Sequence, residues 1–225
     1  MPRFRLAETS STIDLVIEEL IIAGWAGREQ AGIRQHIEEL RALGVKPPSA
    51  TPLFYRVAGD LLTTAEHIQV LGEASSGEVE VVLLGSAQGT LVGVGSDHTD
   101  RETEAWSVAH SKQVCAKPVG SELWRLEELR DHWDDLQLEA WATINGERVL
   151  YQQGAVSGLL PPDDLLRRLG LRDGQLSPGQ AMLCGTLPVR GEVRPAGRLE
   201  LRLTDPVRER RLDHAYTIQN LPVVS

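Results

Sequence analysis

The clearest pattern along the chain is a series of short apolar or alternating runs bounded by glycine, proline and other turn residues. The runs that predict strands are 53–57, 77–85, 90–95, 137–144, 148–153, 181–184 and 198–203. The second and third are joined by the turn 86–89, and the fourth and fifth by Asn145-Gly146, a dipeptide typical of tight hairpins. Residues 4–23 fit two strands or one long bent strand. Strands that come mostly in hairpins predict an α+β fold that is mainly β.

Helical patterns are fewer. The segments that predict helices are 29–43, 96–111, 126–132 and 161–169. Ser96 or Asp97 would cap the second helix, and proline and acidic residues open the fourth. The first helix has a narrow apolar stripe and follows several glycines, so we expect it to act as a mobile lid.

Composition narrows the class of protein. The 225 residues, 41% of them hydrophobic, are enough for one globular domain covering residues 1–225. A net charge of −9 argues against a nucleic-acid partner. No apolar segment is long enough to span a membrane, and two cysteines are too few for a secreted disulfide scaffold, so we expect a cytoplasmic protein. The basic residues comprise 20 arginines and only 3 lysines, which makes each lysine worth attention.

Two carboxylates at the start of one predicted strand are the first candidate site. Glu78 and Glu80 are two residues apart, so on a strand they point to the same face, where they repel unless a cation or a proton lies between them. Asp97 follows the next strand and could supply a third carboxylate. An oxygen-only set favours Mg²⁺ or Mn²⁺ over zinc. The plainer alternatives are an exposed strand edge for the glutamates and a helix cap for Asp97.

Three further groups could carry chemistry. His36 and Glu39 share a helix face, so the carboxylate could orient the imidazole to activate water, although such a pair is more often a solvated surface. Lys112 could neutralise an oxyanion. The turn before Gly185-Thr186 leads into a strand whose end could bind a carboxylate through backbone N–H groups and a hydroxyl.

In chain order these motifs resemble those of the fumarylacetoacetate hydrolase superfamily. The order is His-x-x-Glu, then Glu-x-Glu before an apolar strand, Asp-x-Thr-x-Arg, Ser-Lys, and Pro-Gly-Gln leading to Gly-Thr, and it covers residues 24–203. The segments Gly24-Trp-Ala-Gly-Arg28 and Gly95-Ser-Asp-His-Thr-Asp-Arg101 are most similar to a prokaryotic branch of unknown function. The chain departs from the family pattern at Gly32-Ile33, where the family has Asn-Tyr, and at Leu187, where proline usually follows the threonine.

The resemblance implies a fold and a set of roles. The fold would be a mixed β-sandwich roll with a few helices, forming a homodimer and taking a small-molecule substrate. The implied metal ligands are Glu78, Glu80 and Asp97, the implied catalytic residues are His36, Glu39 and Lys112, and the implied substrate-binding residues are Arg101, Gly185 and Thr186.

Three functions of different class remain open at this point. The first is metal-dependent hydrolysis of a carbon–carbon bond in an acylpyruvate-like or 1,3-dicarbonyl 2-oxo acid. The second uses the same metal site for lyase or isomerase chemistry on a 2-oxo diacid: decarboxylation, hydration or tautomerisation. The third is a non-catalytic small-molecule binder on the same scaffold.

Overall fold

The architecture comes from a computed structural model, which describes residues 2–7, 9, 11–29, 31, 33, 37–38, 47–171 and 173–224. In chain order the strands are β1 (Arg3–Leu6), β2 (Thr12–Asp14), β3 (Glu19–Gly24), β4 (Leu53–Ala58), β5 (Leu62–Thr63), β6 (His67–Leu71), β7 (Ser75–Ser76), β8 (Val79–Ser86), β9 (Gly89–Ser96), β10 (Thr99–Asp100), β11 (Lys117–Pro118), β12 (Glu122–Arg125), β13 (Gln137–Ile144), β14 (Glu147–Ala155), β15 (Gln180–Thr186), β16 (Arg198–Asp205) and β17 (Arg210–Leu221). The α-helices are α1 (Arg101–Glu104), α2 (Val108–Gln113) and α3 (Pro162–Leu169).

Two sheets make up most of the molecule. The larger has eight strands in the order β2-β1-β12-β9-β8-β15-β3-β4, and the smaller has five in the order β14-β13-β16-β17-β6. Two short pairs, β7 with β10 and β5 with β11, form separate two-stranded sheets. The expectation of a mainly β fold with a few helices is confirmed.

Strand β8 lies at the centre of the packing because both of its faces are buried. Val79, Val81 and Leu83 point into a core shared with the five-stranded sheet. Val82 and Leu84 point the other way, into a second core inside the curled larger sheet. A strand buried on both faces requires a continuous apolar run, and this accounts for the unbroken Val-Val-Leu-Leu sequence after Glu80.

The structure contains the hairpins and the helix end that turn and cap residues in the sequence predict. Strands β8 and β9 form the expected hairpin, and β13 pairs with β14 around Asn145-Gly146, both of which have positive φ. Helix α3 ends at Gly170, whose φ of +91° fits a left-handed cap. The region 4–23 contains three strands, β1 to β3, rather than one or two.

The predicted helix starting at Ser96 is wrong. Strand β9 continues to Ser96, and β10 pairs with β7 before the first helical turn begins at Arg101. The cap is Asp100, whose side chain accepts a hydrogen bond from Thr103 N–H at 2.7 Å. Most of the predicted lid, 29–43, lies outside the described residues. Within the described residues, no helix is long and apolar enough to cross a membrane.

Candidate metal centre

The three predicted ligands meet at the open base of the β8–β9 hairpin. Glu78 directly precedes β8, and Glu80 is its second residue, where it pairs with Gly95 of β9. Asp97 follows the last residue of β9, and its N–H donates to the Glu78 carbonyl at 3.0 Å. One potential ligand atom from each side chain lies within 4.8 Å of the other two. The antiparallel register therefore brings together carboxylates that are far apart in the sequence.

This geometry fits a hard divalent cation. Such ions bind carboxylate oxygens at about 2.0–2.6 Å, so two ligands of one ion lie at most about 4–5 Å apart. The three carboxyl groups meet that limit and offer oxygen donors only. Glu80 and Asp97 are 2% and 1% exposed, so their charges need a cation or a proton. The cluster suggests a divalent metal, while the ligand role of each residue stays a prediction.

Asp97 is held by two ammonium groups. Lys112 Nζ hydrogen-bonds to Asp97 Oδ2, and Lys117 Nζ lies 3.2 Å from Asp97 Oδ1. Lys117 also donates to the His98 carbonyl at 2.5 Å and is completely buried. Two of the chain's three lysines thus contact one carboxylate.

Arg101 pairs with the outer glutamate. Its guanidinium donates to Glu78 Oε1 at 2.9 Å, to Glu104 Oε2 at 2.8 Å and to Ser76 Oγ at 2.7 Å. Arg101 lies at the start of α1, directly after the Asp100 cap, so the cap fixes the point from which the guanidinium reaches Glu78. Arg101 is therefore placed to orient Glu78, and its role in substrate binding stays a prediction.

Burial and neighbouring charges shift the pKa values of Glu80 and Asp97 in opposite directions. Burial raises the pKa of Glu80 well above its usual value, and the Asp97 and Glu78 carboxylates add to the effect. Burial alone would raise the pKa of Asp97, but Lys112 and Lys117 outweigh it and lower that pKa to about 2. For Lys112, the attraction of the carboxylates exceeds the effect of burial, so its pKa is raised and it stays charged at neutral pH. Glu80 is therefore the member that would give up a proton on binding of a cation.

Gly185 and Thr186 support this cluster from strand β15. Gly185 N–H donates to Glu80 Oε2 at 2.7 Å, at a φ of +95° and with a Cβ position only 2.8 Å from Ala26 Cβ, so glycine is required there. Thr186 Oγ1 donates to the Val79 carbonyl at 2.8 Å. It also accepts a hydrogen bond from Gln152 Nε2 at 2.8 Å. The structure places both residues against β8, and their role in substrate binding stays a prediction.

The predicted His36–Glu39 dyad lies outside the described residues. Its catalytic role stays a prediction.

Sequence reasoning missed a buried polar network behind the carboxylates. The His98 ring contacts Tyr216 Oη at 3.0 Å and Ser75 Oγ at 2.9 Å. The Tyr216 hydroxyl donates to Ser96 Oγ at 2.8 Å, and Ser96 Oγ accepts from Glu78 N–H at 3.2 Å. Since the tyrosine proton is used on Ser96, His98 Nδ1 donates to the tyrosine oxygen. Burial lowers the pKa of His98 to about 3, so its ring is neutral at physiological pH.

Comparison with solved structures shows the same fold in several enzymes. A protein of Oleispira antarctica provisionally assigned as a fumarylacetoacetate isomerase/hydrolase matches with a TM-score of 0.66 at 19% identity, over 97% of this chain and 100% of that one. A provisionally assigned fumarylpyruvate hydrolase of Burkholderia cenocepacia matches with a TM-score of 0.65 at 16% identity, over 98% and 96%. A 2-keto-3-deoxy-D-arabinonate dehydratase complexed with magnesium and 2,5-dioxopentanoate matches with a TM-score of 0.64 at 13% identity, over 92% and 74%.

The chain therefore has the fold of the fumarylacetoacetate hydrolase superfamily, as its motifs predicted. Within that fold it belongs to the family described as protein of unknown function DUF2848, whose model matches residues 23–216. A comparison with functionally curated proteins finds no significant match.

Proposed function

We propose that this protein is a divalent-metal-dependent enzyme that hydrolyses a carbon–carbon bond in an acylpyruvate-like 2-oxo acid. The observation that carries the proposal is the convergence of Glu78, Glu80 and Asp97 beside a buried ammonium group. A 2-oxo acid offers two adjacent oxygens to a hard cation, and bond cleavage next to its carbonyl leaves negative charge that such a site can stabilise.

The three carboxylates would hold Mg²⁺ or Mn²⁺. When bound, the ion supplies Lewis-acid chemistry, polarising the substrate carbonyl and stabilising negative charge on its oxygens. Lys112 is 5% exposed and stays charged, so it provides a fixed positive charge at the edge of the cluster. Arg101 keeps Glu78 in place through its contacts with Ser76 and Glu104.

Hydrolysis also needs a base that activates water, and the His36–Glu39 pair is the proposed one. The carboxylate would hold the imidazole in one orientation, and the imidazole would take a proton from the attacking water. General-base catalysis of this kind is typically worth about 10²–10⁴-fold in rate.

A lyase acting on a 2-oxo acid is the second candidate. The cation that the three carboxylates would hold, together with the Lys112 ammonium, would stabilise negative charge on the substrate, and this step needs no water-activating base. A dehydratase complexed with magnesium and 2,5-dioxopentanoate shares the fold, and this supports elimination or decarboxylation as the alternative.

One set of assays separates the candidates. The full-length protein is tested with acylpyruvates and 2-oxo diacids, with Mg²⁺ or Mn²⁺ and with chelator. The hydrolase proposal predicts cleavage of an acylpyruvate that needs the metal and falls about 10²–10⁴-fold in His36→Ala, while metal binding survives. Glu39→Gln should add little to His36→Ala, because the two residues act as one unit.

Other results of these assays would redirect the proposal. Turnover of a 2-oxo diacid that persists in His36→Ala would favour the lyase. Binding of metal and 2-oxo acid without turnover would favour the non-catalytic binder. Failure to bind either Mg²⁺ or Mn²⁺ would contradict both enzyme proposals.

A further inference from the structure

A tyrosine that no motif singled out lies beside the Lys112 ammonium. Tyr55 is on β4, and Lys112 Nζ lies 5.8 Å from the centroid of its ring. A hydrogen bond links β4 to helix α2: Ala58 N–H donates to the Gln113 side-chain oxygen at 3.0 Å. Since Gln113 directly follows Lys112, this contact fixes the strand of the tyrosine relative to the lysine.

Residues at the end of β3 determine how the Tyr55 ring lies. A Cβ on Gly24 would come within 2.7 Å of Tyr55 Cε2, so the absence of a side chain lets the ring pack against the backbone of β3. The next residue, Trp25, has a φ of +60°, which a bulky residue rarely adopts. The Trp25 side chain lies within reach of the Tyr55 hydroxyl, where its indole N–H acts on the pKa of that group. Residues held in such conformations are common at functional sites, where the surrounding structure keeps them in place.

The hydroxyl proton of Tyr55 is directed away from this contact. The indole can only donate, so the tyrosine oxygen accepts from Trp25 and keeps its own proton for another partner. Burial raises the pKa of Tyr55, so the hydroxyl remains a neutral donor at physiological pH. The Tyr55 side chain is only partly buried.

We propose that Tyr55 is a substrate-contacting residue, whose hydroxyl donates a hydrogen bond to the anionic oxygen that Lys112 neutralises. A carboxylate oxygen has lone pairs for both an ammonium and a hydroxyl, so the two groups would bind the same end of a 2-oxo acid. Lys112 would neutralise the charge of the substrate oxygen, and the Tyr55 hydroxyl would fix the orientation of the substrate through a directional hydrogen bond. This inference rests on the function proposed above and goes beyond it by assigning a residue that positions the substrate.

The test uses the full-length protein loaded with Mn²⁺ and oxalate as the probe. Oxalate is a small dianion with the paired oxygens of a 2-oxo acid and cannot be turned over by cleavage next to a ketone. Titration calorimetry measures Mn²⁺ binding first and oxalate binding second. Tyr55→Phe removes only the hydroxyl, and the expected result is unchanged Mn²⁺ affinity with roughly 10- to 100-fold weaker oxalate binding.

Two further variants make the result specific. Tyr151→Phe is the matched control: its hydroxyl accepts from Arg194 N–H at 3.2 Å in a buried position, and oxalate binding should match the parent. Trp25→Phe keeps an aromatic ring but removes the N–H that orients Tyr55, and it should weaken oxalate binding less than Tyr55→Phe does.

The outcomes separate this inference from the proposed function. A parent protein that binds neither Mn²⁺ nor oxalate would overturn the proposed function and, with it, this role of Tyr55. A parent that binds both, with Tyr55→Phe binding oxalate equally well, would overturn the role of Tyr55 alone. Loss of Mn²⁺ binding in Tyr55→Phe would also overturn it, since the tyrosine would then support the metal centre and not the substrate.

Discussion

Replacing Glu80 by glutamine removes an ionisable group from the buried cluster and keeps the size of the side chain. The Gln amide oxygen can still accept the hydrogen bond from Gly185 N–H. Burial and the Asp97 and Glu78 carboxylates raise the pKa of Glu80 in the folded chain above its unfolded value. The protonated form therefore stabilises the fold at low pH, and this contribution is lost as the pH rises through the folded pKa. At pH 8 and without metal, Glu80→Gln should melt at or above the parent temperature.

Added Mg²⁺ should reverse that order. A ligand at 100 times its Kd stabilises the folded state by about 2.7 kcal/mol, which corresponds to roughly 5–11 °C for a chain of this size. The parent should gain this shift, and Glu80→Gln, having lost one of three ligands, should not.

Differential scanning fluorimetry with and without Mg²⁺ measures both effects. Glu139→Gln is the control, because Glu139 lies on β13 and bonds to Gln153, outside the cluster. It should show the parent's Mg²⁺ shift. A Glu80→Gln protein that keeps the shift, or that melts well below the parent without metal, would refute the reasoning.

Three other changes test the surroundings of the cluster. Gly185→Ala should lower the free energy of unfolding by about 1–3 kcal/mol in a urea titration, because the positive φ and the contact with Ala26 disfavour a side chain; parent-like stability would contradict this. Lys117→Met should cost about 1.5–3 kcal/mol in the same titration by removing a charged hydrogen bond from Asp97, and an unchanged midpoint would mean that Lys112 alone suffices. Mn²⁺ affinity should rise with pH, by at most tenfold per pH unit, until Glu80 is ionised. Calorimetry in buffers of different ionisation enthalpy should detect the released proton, and a pH-independent affinity would argue against a raised pKa of Glu80.

The sequence predicted those parts of the fold that depend on neighbouring residues. The β8–β9 and β13–β14 hairpins follow from alternating or apolar runs and from turn residues within a few positions. Helix α3 follows from Pro162 at its start and Gly170 at its end. The carboxylate cluster was also predictable, because each glutamate and Asp97 adjoins a strand that the pattern identifies.

Contacts between distant segments account for what the sequence did not predict. Ser96 looks like a helix cap, yet it ends a strand because Tyr216 bonds to it from 120 residues away. Lys117 stands out only by the scarcity of lysine, and no local pattern places its ammonium on Asp97. Tyr55 lies in a short aromatic run that predicts a strand, but its neighbours Trp25 and Lys112 come from other parts of the chain.

The hairpin that carries the three carboxylates also bears on how the chain folds. The β8–β9 pairing is local, with a turn between Ser86 and Gly89, so we expect it to form early and to bring the three carboxylates together. Lys112 and Lys117 come from a later segment of the chain, so we expect their charges to join the cluster afterwards. In stopped-flow refolding, a divalent cation should therefore speed up folding as well as slow unfolding, because it substitutes for positive charge that the chain supplies late.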